Sequence, residues 1–367
     1  MRFASHIREM EVSGIRKCFE GAGPTCVNLS IGQPDFDTPM HVKEAAIKAI
    51  RDGFTGYTPN LGVPDLREAI SQKFRKDNGL DYSPSQIMVT SGASEALFLA
   101  VASLVEEGDE VLVPDPGFLS YAALTRSVGG KAVGVPLSGD LTLTPEAVQE
   151  RVTSRTKAII VNSPGNPTGA VQSKEELQGV AQVADDCDLA LISDEVYEHF
   201  IYQGEHVSPA RFSDNVITIN AVSKTYAMTG WRLGYLAASE EAVEEMLKIH
   251  QYSQACASSI SQVAAHAALA GPQDCVSTMK EAFRRRRDLL VKSLEEMGVD
   301  FVVPQGAFYL FPRVGDGDGT AASLLQNGVI TVPGSAFGPR GKEHIRISYA
   351  ASDESILTAI ERMREIL

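Results

Sequence analysis

The chain has 367 residues, of which 44% are apolar and 22% charged, and this composition is typical of a globular protein with a large core, in about two domains. Its net charge of −14 argues against a nucleic-acid-binding protein, because binding to phosphate backbones requires a basic face. The sequence has neither the roughly 18 uninterrupted apolar residues of a membrane span nor the apolar core of a signal peptide near its charged N-terminus.

The five cysteines are scattered along the chain, and no two of them form a C-x-x-C pair. Neither a zinc site nor a disulfide framework is therefore expected, and the dispersed histidines do not indicate a metal site either. A reducing cytoplasm is the simplest location for a protein with this cysteine pattern.

Short apolar runs alternate with longer helical patterns through the middle of the chain, which predicts an α/β fold with a mostly parallel sheet between helices. Polar residues follow these runs, at the edge where open α/β sheets bind ligands. The predicted strands lie in the segments 86–92, 110–117, 157–167, 189–197, 216–224 and 233–238.

A helical pattern begins after Ser239 and is expected to continue to about Leu269, connecting the sheet to the rest of the chain. Beyond Gly271, a further helical stretch, the segment FVVPQGAFYLFP (301–312) and the strand-like segment HIRISYA (344–350) predict a smaller α+β domain. The arginine run at 284–287 is expected on a solvated helix face.

The first polar segment that follows a predicted strand is SGASEAL (91–97). Gly92 permits close approach of the backbone, while Ala93 and Ser94 begin a helix. The free N–H groups and the positive end of that helix suit a phosphate, although an ordinary helix cap has the same pattern.

The next two polar segments follow two other predicted strands. VNSPGNPTG (161–169) is a tight turn, in which the amide of Asn166 could donate to a phenolate oxygen. In DEVYEHF (194–200), Asp194 could hold a protonated pyridine nitrogen and the Tyr197 hydroxyl could donate to the same phenolate. The alternative for this segment is a helix-capping Asp beside a half-buried Tyr.

The strongest signal is AVSKTYAMTGWRLGY (221–235), which contains Ser-Lys-x-x-x-x-Thr-Gly-x-Arg directly after an apolar strand. The amine of Lys224, once neutral, can form a Schiff base, and burial or neighbouring cations favour the neutral form. Arg232 can hold a phosphate through two parallel hydrogen bonds.

These four segments, in this order, resemble the class I/II aminotransferases of pyridoxal 5′-phosphate (PLP) fold type I, of the aspartate aminotransferase kind. The similarity spans nearly the whole chain. It also covers LSIGQPDFDTP (29–39), GYTPNLGVPDLREAI (56–70), DPGFLSY (115–121), PQGAFYLFP (304–312), VPGSAFG (332–338) and HIRISYA (344–350).

The resemblance implies a large PLP-binding α/β domain over residues 37–260 and a small domain built from residues 1–36 and 261–367. It implies that Lys224 is the Schiff-base lysine and moves the proton during catalysis. Asp194 then pairs with the pyridine nitrogen, and Tyr197 and Asn166 pair with the phenolate oxygen.

The remaining roles also come from the resemblance. Phe118 matches the aromatic residue that stacks on the ring, and Gly32, Asn166 and Arg346 match residues that hold the substrate. Tyr57 matches a tyrosine that reaches the phosphate of the other subunit, so a homodimer with shared active sites is implied. The phosphate-binding positions are Gly92, Ala93, Ser94, Ser223 and Arg232.

The chain departs from the family at Ala221, where a hydroxyl that contacts the phosphate is common, so weaker PLP retention is expected. Transfer of an amino group between an L-amino acid and a 2-oxo acid is the implied reaction. Aspartate with 2-oxoglutarate is favoured, and aromatic amino acids come next. Arg8, Arg16 and Arg126 are candidates for binding a second substrate carboxylate, although each also suits the surface.

Two other functions remain open on the same scaffold. A PLP-dependent C–S β-lyase would share every cofactor-binding residue. A non-catalytic PLP-sensing transcription regulator is the more remote alternative. Such regulators carry a DNA-binding domain before this fold, whereas the family pattern begins here by about Leu29.

Overall fold

The computed structural model describes residues 1, 3–8, 10, 14, 18, 23 and 25–367. In this part of the chain the α-helices are α1 (Ser5–Arg8), α2 (Met40–Arg51), α3 (Pro64–Lys73), α4 (Ala93–Leu104), α5 (Ser120–Ser127), α6 (Pro145–Gln149), α7 (Lys174–Asp186), α8 (Val222–Thr225), α9 (Glu240–Ser253), α10 (Ser259–Ala270), α11 (Asp274–Glu296), α12 (Gly317–Gln326) and α13 (Asp353–Met363). The β-strands are β1 (Val27–Asn28), β2 (Ile87–Thr90), β3 (Glu110–Asp115), β4 (Lys131–Pro136), β5 (Thr156–Asn162), β6 (Ala190–Asp194), β7 (Val216–Ala221), β8 (Gly234–Ala237), β9 (Tyr309–Leu310), β10 (Val329–Ile330), β11 (Val332–Pro333) and β12 (Ile345–Ser348). Among the described helices, none combines the length and the apolar composition that crossing a membrane requires.

A seven-stranded sheet in the order β2-β8-β7-β6-β5-β3-β4 forms the centre of the fold. Strands β4, β3, β5, β6 and β7 run parallel, which confirms the predicted α/β class with a mostly parallel sheet. The prediction of a parallel strand at 233–238 is wrong, because β8 runs antiparallel to both β2 and β7. Strand β4 was not predicted; it lies at the sheet edge and is only partly buried.

Both faces of the sheet are covered because successive side chains of a strand point to opposite faces. In β3, Val111 and Val113 pack into a cluster with α4, whereas Leu112 packs with α7 on the other face. This double burial explains why the strands consist of nearly continuous apolar runs. Their carboxyl ends remain free to carry polar side chains.

The predicted helix after Ser239 is two helices, α9 and α10. Ser239 caps the first as expected, since its side chain accepts a hydrogen bond from the N–H of Ala242. The helix breaks before Ser258, which caps α10, and Ala255 in the connection has a φ of 63°. Apolar residues of α10 then share a core cluster with residues of α2 and α3.

The C-terminal part contains an antiparallel sheet in the order β11-β12-β9, in agreement with the predicted strand at 344–350. The prediction that the arginine run on α11 lies on a solvated face is wrong for two of its residues. The side chains of Arg286 and Arg287 are buried. Arg286 forms two hydrogen bonds to Asp35, at 2.7 and 3.0 Å, and stacks on Phe283. The division of the chain into large and small domains stays a prediction.

Candidate active site

A cavity of about 430 Å³ lies at the carboxyl ends of β5, β6 and β7, whose last residues Asn162, Asp194 and Ala221 line it. This volume lies in the usual range for small-molecule sites. Of the residues predicted for the site, the cavity lining brings together Gly32, Ala93, Ser94, Phe118, Asn166, Asp194, Tyr197, Ser223, Lys224, Arg232 and Arg346.

Asp194 is buried, and its carboxylate accepts a hydrogen bond from the Tyr121 hydroxyl at 2.8 Å. Burial raises the pKa of Asp194 to about 6, against the opposing effect of the Tyr121 hydrogen bond. A cationic ring nitrogen beside this carboxylate would compensate its burial. The predicted role of Asp194 therefore suits its surroundings.

Lys224 lies on the short helix α8, directly after β7, and its Nζ donates a hydrogen bond to the carbonyl of Gly32 at 2.6 Å. Burial lowers its pKa to about 8, assisted by the neighbouring positive charges of Arg346 and Arg232. A larger fraction of the amine is consequently neutral near pH 7 than for an exposed lysine. The neutral amine is the form that reacts with a carbonyl group.

Arg346, on β12, lines this cavity, and only 1% of the residue's surface is exposed to solvent. Its Nη1 donates to the side-chain oxygen of Asn166 at 2.9 Å, and its guanidinium lies 4.6 Å from the centre of the Tyr309 ring. The buried Nε atom has no hydrogen-bond partner among the described residues. A buried, unpaired donor is costly, so this guanidinium is suited to a bound carboxylate.

The Tyr197 hydroxyl lies 2.8 Å from the Tyr309 hydroxyl, and the Lys224 Nζ lies 5.9 Å from the Tyr197 ring centre. Tyr309 also approaches Gly32 so closely that a Cβ atom there would collide with its hydroxyl. Glycine at position 32 is thus required by packing as well as by any contact with a ligand.

Another part of the cavity lining combines a helix N-terminus with a cation. Gly92 precedes α4 with a φ of 82°, and a Cβ atom at this position would collide with the guanidinium of Arg232. Arg232 in turn donates to the carbonyl of Thr229 at 2.9 Å. Free N–H groups at the start of α4, the hydroxyls of Ser94 and Ser223 and this guanidinium form a suitable phosphate site.

Two of the residues predicted to bind the cofactor, Gly92 and Tyr57, do not line the cavity. Gly92 acts through its backbone position next to Arg232, as described above. Tyr57 is 91% exposed on the surface of the chain. An exposed tyrosine is the arrangement expected if its contacts are made with another subunit.

Sequence reasoning missed Tyr121, Tyr309 and Asn162, each of which contacts a predicted residue. Asn162 donates to the backbone carbonyl of Asp194 at 2.9 Å and accepts from the N–H of Asn166 at 2.8 Å. All three lie inside segments that carry the family resemblance, so the motifs contained them. Their roles depend on contacts between separate parts of the chain, which the motifs do not show.

The charges that face the cavity fit a phosphorylated aldehyde and a carboxylate substrate. Three cations, Lys224, Arg232 and Arg346, and one carboxylate, Asp194, belong to the described lining. The candidate phosphate site lies at the start of α4 and the unpaired donor of Arg346 comes from β12, so different elements of the lining offer cations to anionic groups. These features suit the class of enzyme that uses PLP and binds a substrate carboxylate.

Comparison with known proteins supports this class. The family model for aminotransferase class I and II matches residues 24–363, and the chain belongs to this family. It is accordingly a PLP-dependent aminotransferase, which confirms the predicted family, cofactor and type of reaction.

Three similar proteins cover the chain almost completely. A probable aspartate aminotransferase of Methanocaldococcus jannaschii is 48% identical, over 99% of this chain and 99% of the relative. Aromatic-amino-acid aminotransferase 2 of Thermococcus litoralis is 41% identical, over 100% and 98%. The solved structure of aspartate aminotransferase from Thermus thermophilus with maleate has a TM-score of 0.95 at 40% identity and complete coverage of both chains.

Proposed function

We propose that the residues around this cavity hold PLP and an amino acid in fixed relative positions. The phosphate is bound by the start of α4 with Ser94, Ser223 and Arg232, while Asp194 pairs with the ring nitrogen. When bound, the protonated ring of PLP withdraws electrons from the substrate Cα. The buried carboxylate of Asp194 supports this proposal most directly, because a buried negative charge is stabilised by a cation beside it.

Three further residues orient the ring and the substrate in this proposal. Phe118 stacks on the ring, and Tyr197 and Asn166 donate to its phenolate oxygen. The hydrogen bond between Asn166 and Arg346 links the phenolate side of the site to the carboxylate side, at 2.9 Å. Lys224, whose pKa is lowered to about 8, takes the proton from the substrate Cα and holds it on its Nζ.

For the substrate we propose aspartate with 2-oxoglutarate, with aromatic amino acids as the second candidate. The relatives support both, since their names include aspartate and aromatic-amino-acid aminotransferases. Maleate, which accompanies the Thermus thermophilus structure, is a dicarboxylate with four carbons, as aspartate is.

A side-chain carboxylate of the substrate would need a further cation. Arg8 and Arg126 are exposed and do not belong to the cavity lining, and Arg16 lies outside the described residues. The three cations of the described lining already have proposed partners in this scheme. A partner subunit or the N-terminal segment is therefore the expected source of the second carboxylate ligand.

A single-turnover panel of aspartate, glutamate, alanine, phenylalanine and tyrosine tests the substrate proposal. The loss of the absorbance of the lysine-bound cofactor reports each reaction. We expect aspartate and glutamate to react fastest. A faster reaction with phenylalanine than with aspartate, with aspartate no better than alanine, would assign the enzyme to aromatic substrates.

Arg346→Lys is expected to weaken every amino acid substrate alike, by about 10- to 100-fold in kcat/KM, with a smaller effect on PLP affinity. A lysine cannot reproduce the two parallel hydrogen bonds of a guanidinium to a carboxylate. Arg313→Lys is a matched control, because Arg313 is exposed and pairs with Glu343. If the Arg346 variant lost kcat/KM only for the acidic amino acids, Arg346 would instead bind the side-chain carboxylate of the substrate.

We also propose a homodimer with shared active sites. Helix α2 buries Val42, Ala46 and Ala49 and leaves Ile47 and Ile50 about half exposed. The nearby side chains of Phe54 and Tyr57 are exposed as well. Several exposed apolar residues in one stretch of chain are typical of an interface, and a second copy would cover them.

Mixing inactive Lys224→Ala protein with Tyr57→Ala protein tests the shared site. Under subunit exchange, each hybrid dimer contains one site with both native residues, so about one site in four of the mixture becomes native. Activity should rise above that of either parent. Proven exchange without such a gain would show that Tyr57 serves its own chain.

The proposed location is the cytoplasm. All five cysteines belong to the described residues and are free thiols, which is compatible with a reducing compartment. Fractionation of the native cells with antibody detection would test this location, and detection in a membrane or secreted fraction would contradict it.

A further inference from the structure

Tyr121 contacts the carboxylate that is proposed to pair with the ring nitrogen. Its hydroxyl donates to Oδ2 of Asp194 at 2.8 Å, and both side chains are almost completely buried. Neither a motif nor the proposed roles above account for this hydrogen bond. Tyr121 also lines the cavity, so its position bears on any ligand bound there.

The hydrogen bond divides the two oxygens of Asp194 between different tasks. Oδ2 is engaged by Tyr121 at 2.8 Å, whereas within the described part of the chain Oδ1 accepts only from the N–H of Val196, at 3.4 Å. The less engaged Oδ1 is thus the oxygen that remains for a ring nitrogen. A carboxylate held at one oxygen also has fewer orientations to lose when a ligand binds.

The helix that carries Tyr121 holds its ring in place. The N–H of Tyr121 donates to the carbonyl of Phe118 at 3.0 Å, and its carbonyl accepts from the Thr125 hydroxyl at 2.9 Å. The rings of Phe118 and Tyr121 meet edge to face, with centres 5.6 Å apart. One turn of chain therefore carries both the proposed stacking residue and the donor to Asp194.

The hydroxyl of Tyr121 also remains a donor under all ordinary conditions. Burial, followed by the negative charge of Asp194, raises the pKa of Tyr121 well above its usual value. The same hydrogen bond opposes the effect of burial on Asp194, whose pKa it lowers. A neutral donor in this position stabilises the ionised form of the carboxylate.

We propose that Tyr121 is a positioning residue that orients Asp194 and keeps it ionised, so that Oδ1 is presented to the ring nitrogen of PLP. This inference rests on the proposed pairing of Asp194 with that nitrogen. It assigns to Tyr121 an effect that passes through Asp194 alone. A tyrosine that only fills the core would act independently of that carboxylate.

A double-mutant cycle on cofactor release separates these two roles. The rate at which PLP leaves the holoenzyme is measured for the native protein, Tyr121→Phe, Asp194→Ala and the double variant. Tyr226→Phe is the matched control, since Tyr226 is buried and its hydroxyl donates to Gln273 at 2.8 Å outside the cavity lining. Circular dichroism establishes that each variant is folded.

We expect Tyr121→Phe to speed cofactor release by about 10-fold, which is the usual effect of losing a hydrogen bond to a charged group. The control should change release less than about 2-fold. In the Asp194→Ala background, Tyr121→Phe should add almost nothing, because coupled residues are not additive. A fully additive effect, or a Tyr121 variant that behaves like the control, would overturn the proposal.

Steady-state kinetics provide a second test should the Asp194→Ala protein not fold. Tyr121→Phe should lower kcat by about 10- to 100-fold and leave the KM for the amino acid nearly unchanged, because Arg346 binds the substrate carboxylate. Equal damage to kcat and KM would indicate general disruption and contradict the positioning role. Cofactor release requires no turnover, so a failure of the proposed pairing of Asp194 with the ring nitrogen would be seen separately, as near-normal turnover of the Asp194→Asn protein.

Discussion

Asparagine in place of Asp194 is expected to slow amino-group transfer by about 100- to 1000-fold while the fold and most of the cofactor binding are retained. The neutral amide has nearly the same shape as the carboxylate but cannot stabilise a proton on the ring nitrogen. Without that proton, the ring cannot withdraw the charge that develops at the substrate Cα. Single-turnover measurements of cofactor absorbance with a reactive amino acid would report the rate of this step.

Asp115→Asn is the matched control for this variant. Asp115 is also a buried aspartate, and it accepts a hydrogen bond from the N–H of Arg340 outside the cavity lining. Its replacement should leave the rate within a few-fold of the native value. Near-normal turnover in the Asp194 variant would reduce Asp194 to a structural residue and would also remove the basis for the role of Tyr121.

Alanine in place of Lys224 is expected to cause the largest loss of any single substitution, at least about 10²- to 10⁴-fold from proton transfer alone. The variant also loses the amine that anchors the cofactor covalently. Borohydride reduction of the native protein should fix PLP to the peptide that contains Lys224. The alanine variant should carry no reduced adduct, whereas it should still bind PLP through the phosphate site.

An exposed lysine provides the control for the labelling. Lys248 lies on α9 and pairs with Glu245 on the surface, so Lys248→Ala should keep both the adduct and the activity. Because the pKa of Lys224 is lowered to about 8, its neutral fraction in the cofactor-free protein rises steeply as the pH passes through that value. An adduct on another lysine in the native protein would contradict the assignment.

Much of the fold could be predicted because the central strands are buried on both faces and are therefore apolar throughout. Strand β4 escaped detection since it lies at the sheet edge, is only partly buried and contains Gly134. The direction of β8 could not be predicted, because an apolar run has the same composition in either direction. The break before α10 was missed because Ala255 adopts its positive φ without glycine or proline nearby to signal it.

The sequence also predicted which polar residues gather around the cavity, although their roles stay proposals. Lys224 and Asp194 follow apolar strands, so their positions at the sheet edge follow from the pattern. Tyr121 and Tyr309 could not be assigned roles, since their partners lie 73 and 112 residues away in the sequence. The burial of Arg286 could not be predicted either, because its partner Asp35 is separated from it by 251 residues.

The stoichiometry of a single half-reaction tests the central claim most directly. Holoenzyme mixed with glutamate, without a 2-oxo acid acceptor, should form one 2-oxoglutarate per active site. Mass spectrometry should show the cofactor as its pyridoxamine form, and no ammonia should appear. Release of ammonia and pyruvate from a cysteine thioether, with glutamate and the other amino acids unreactive, would contradict the account and identify a β-lyase.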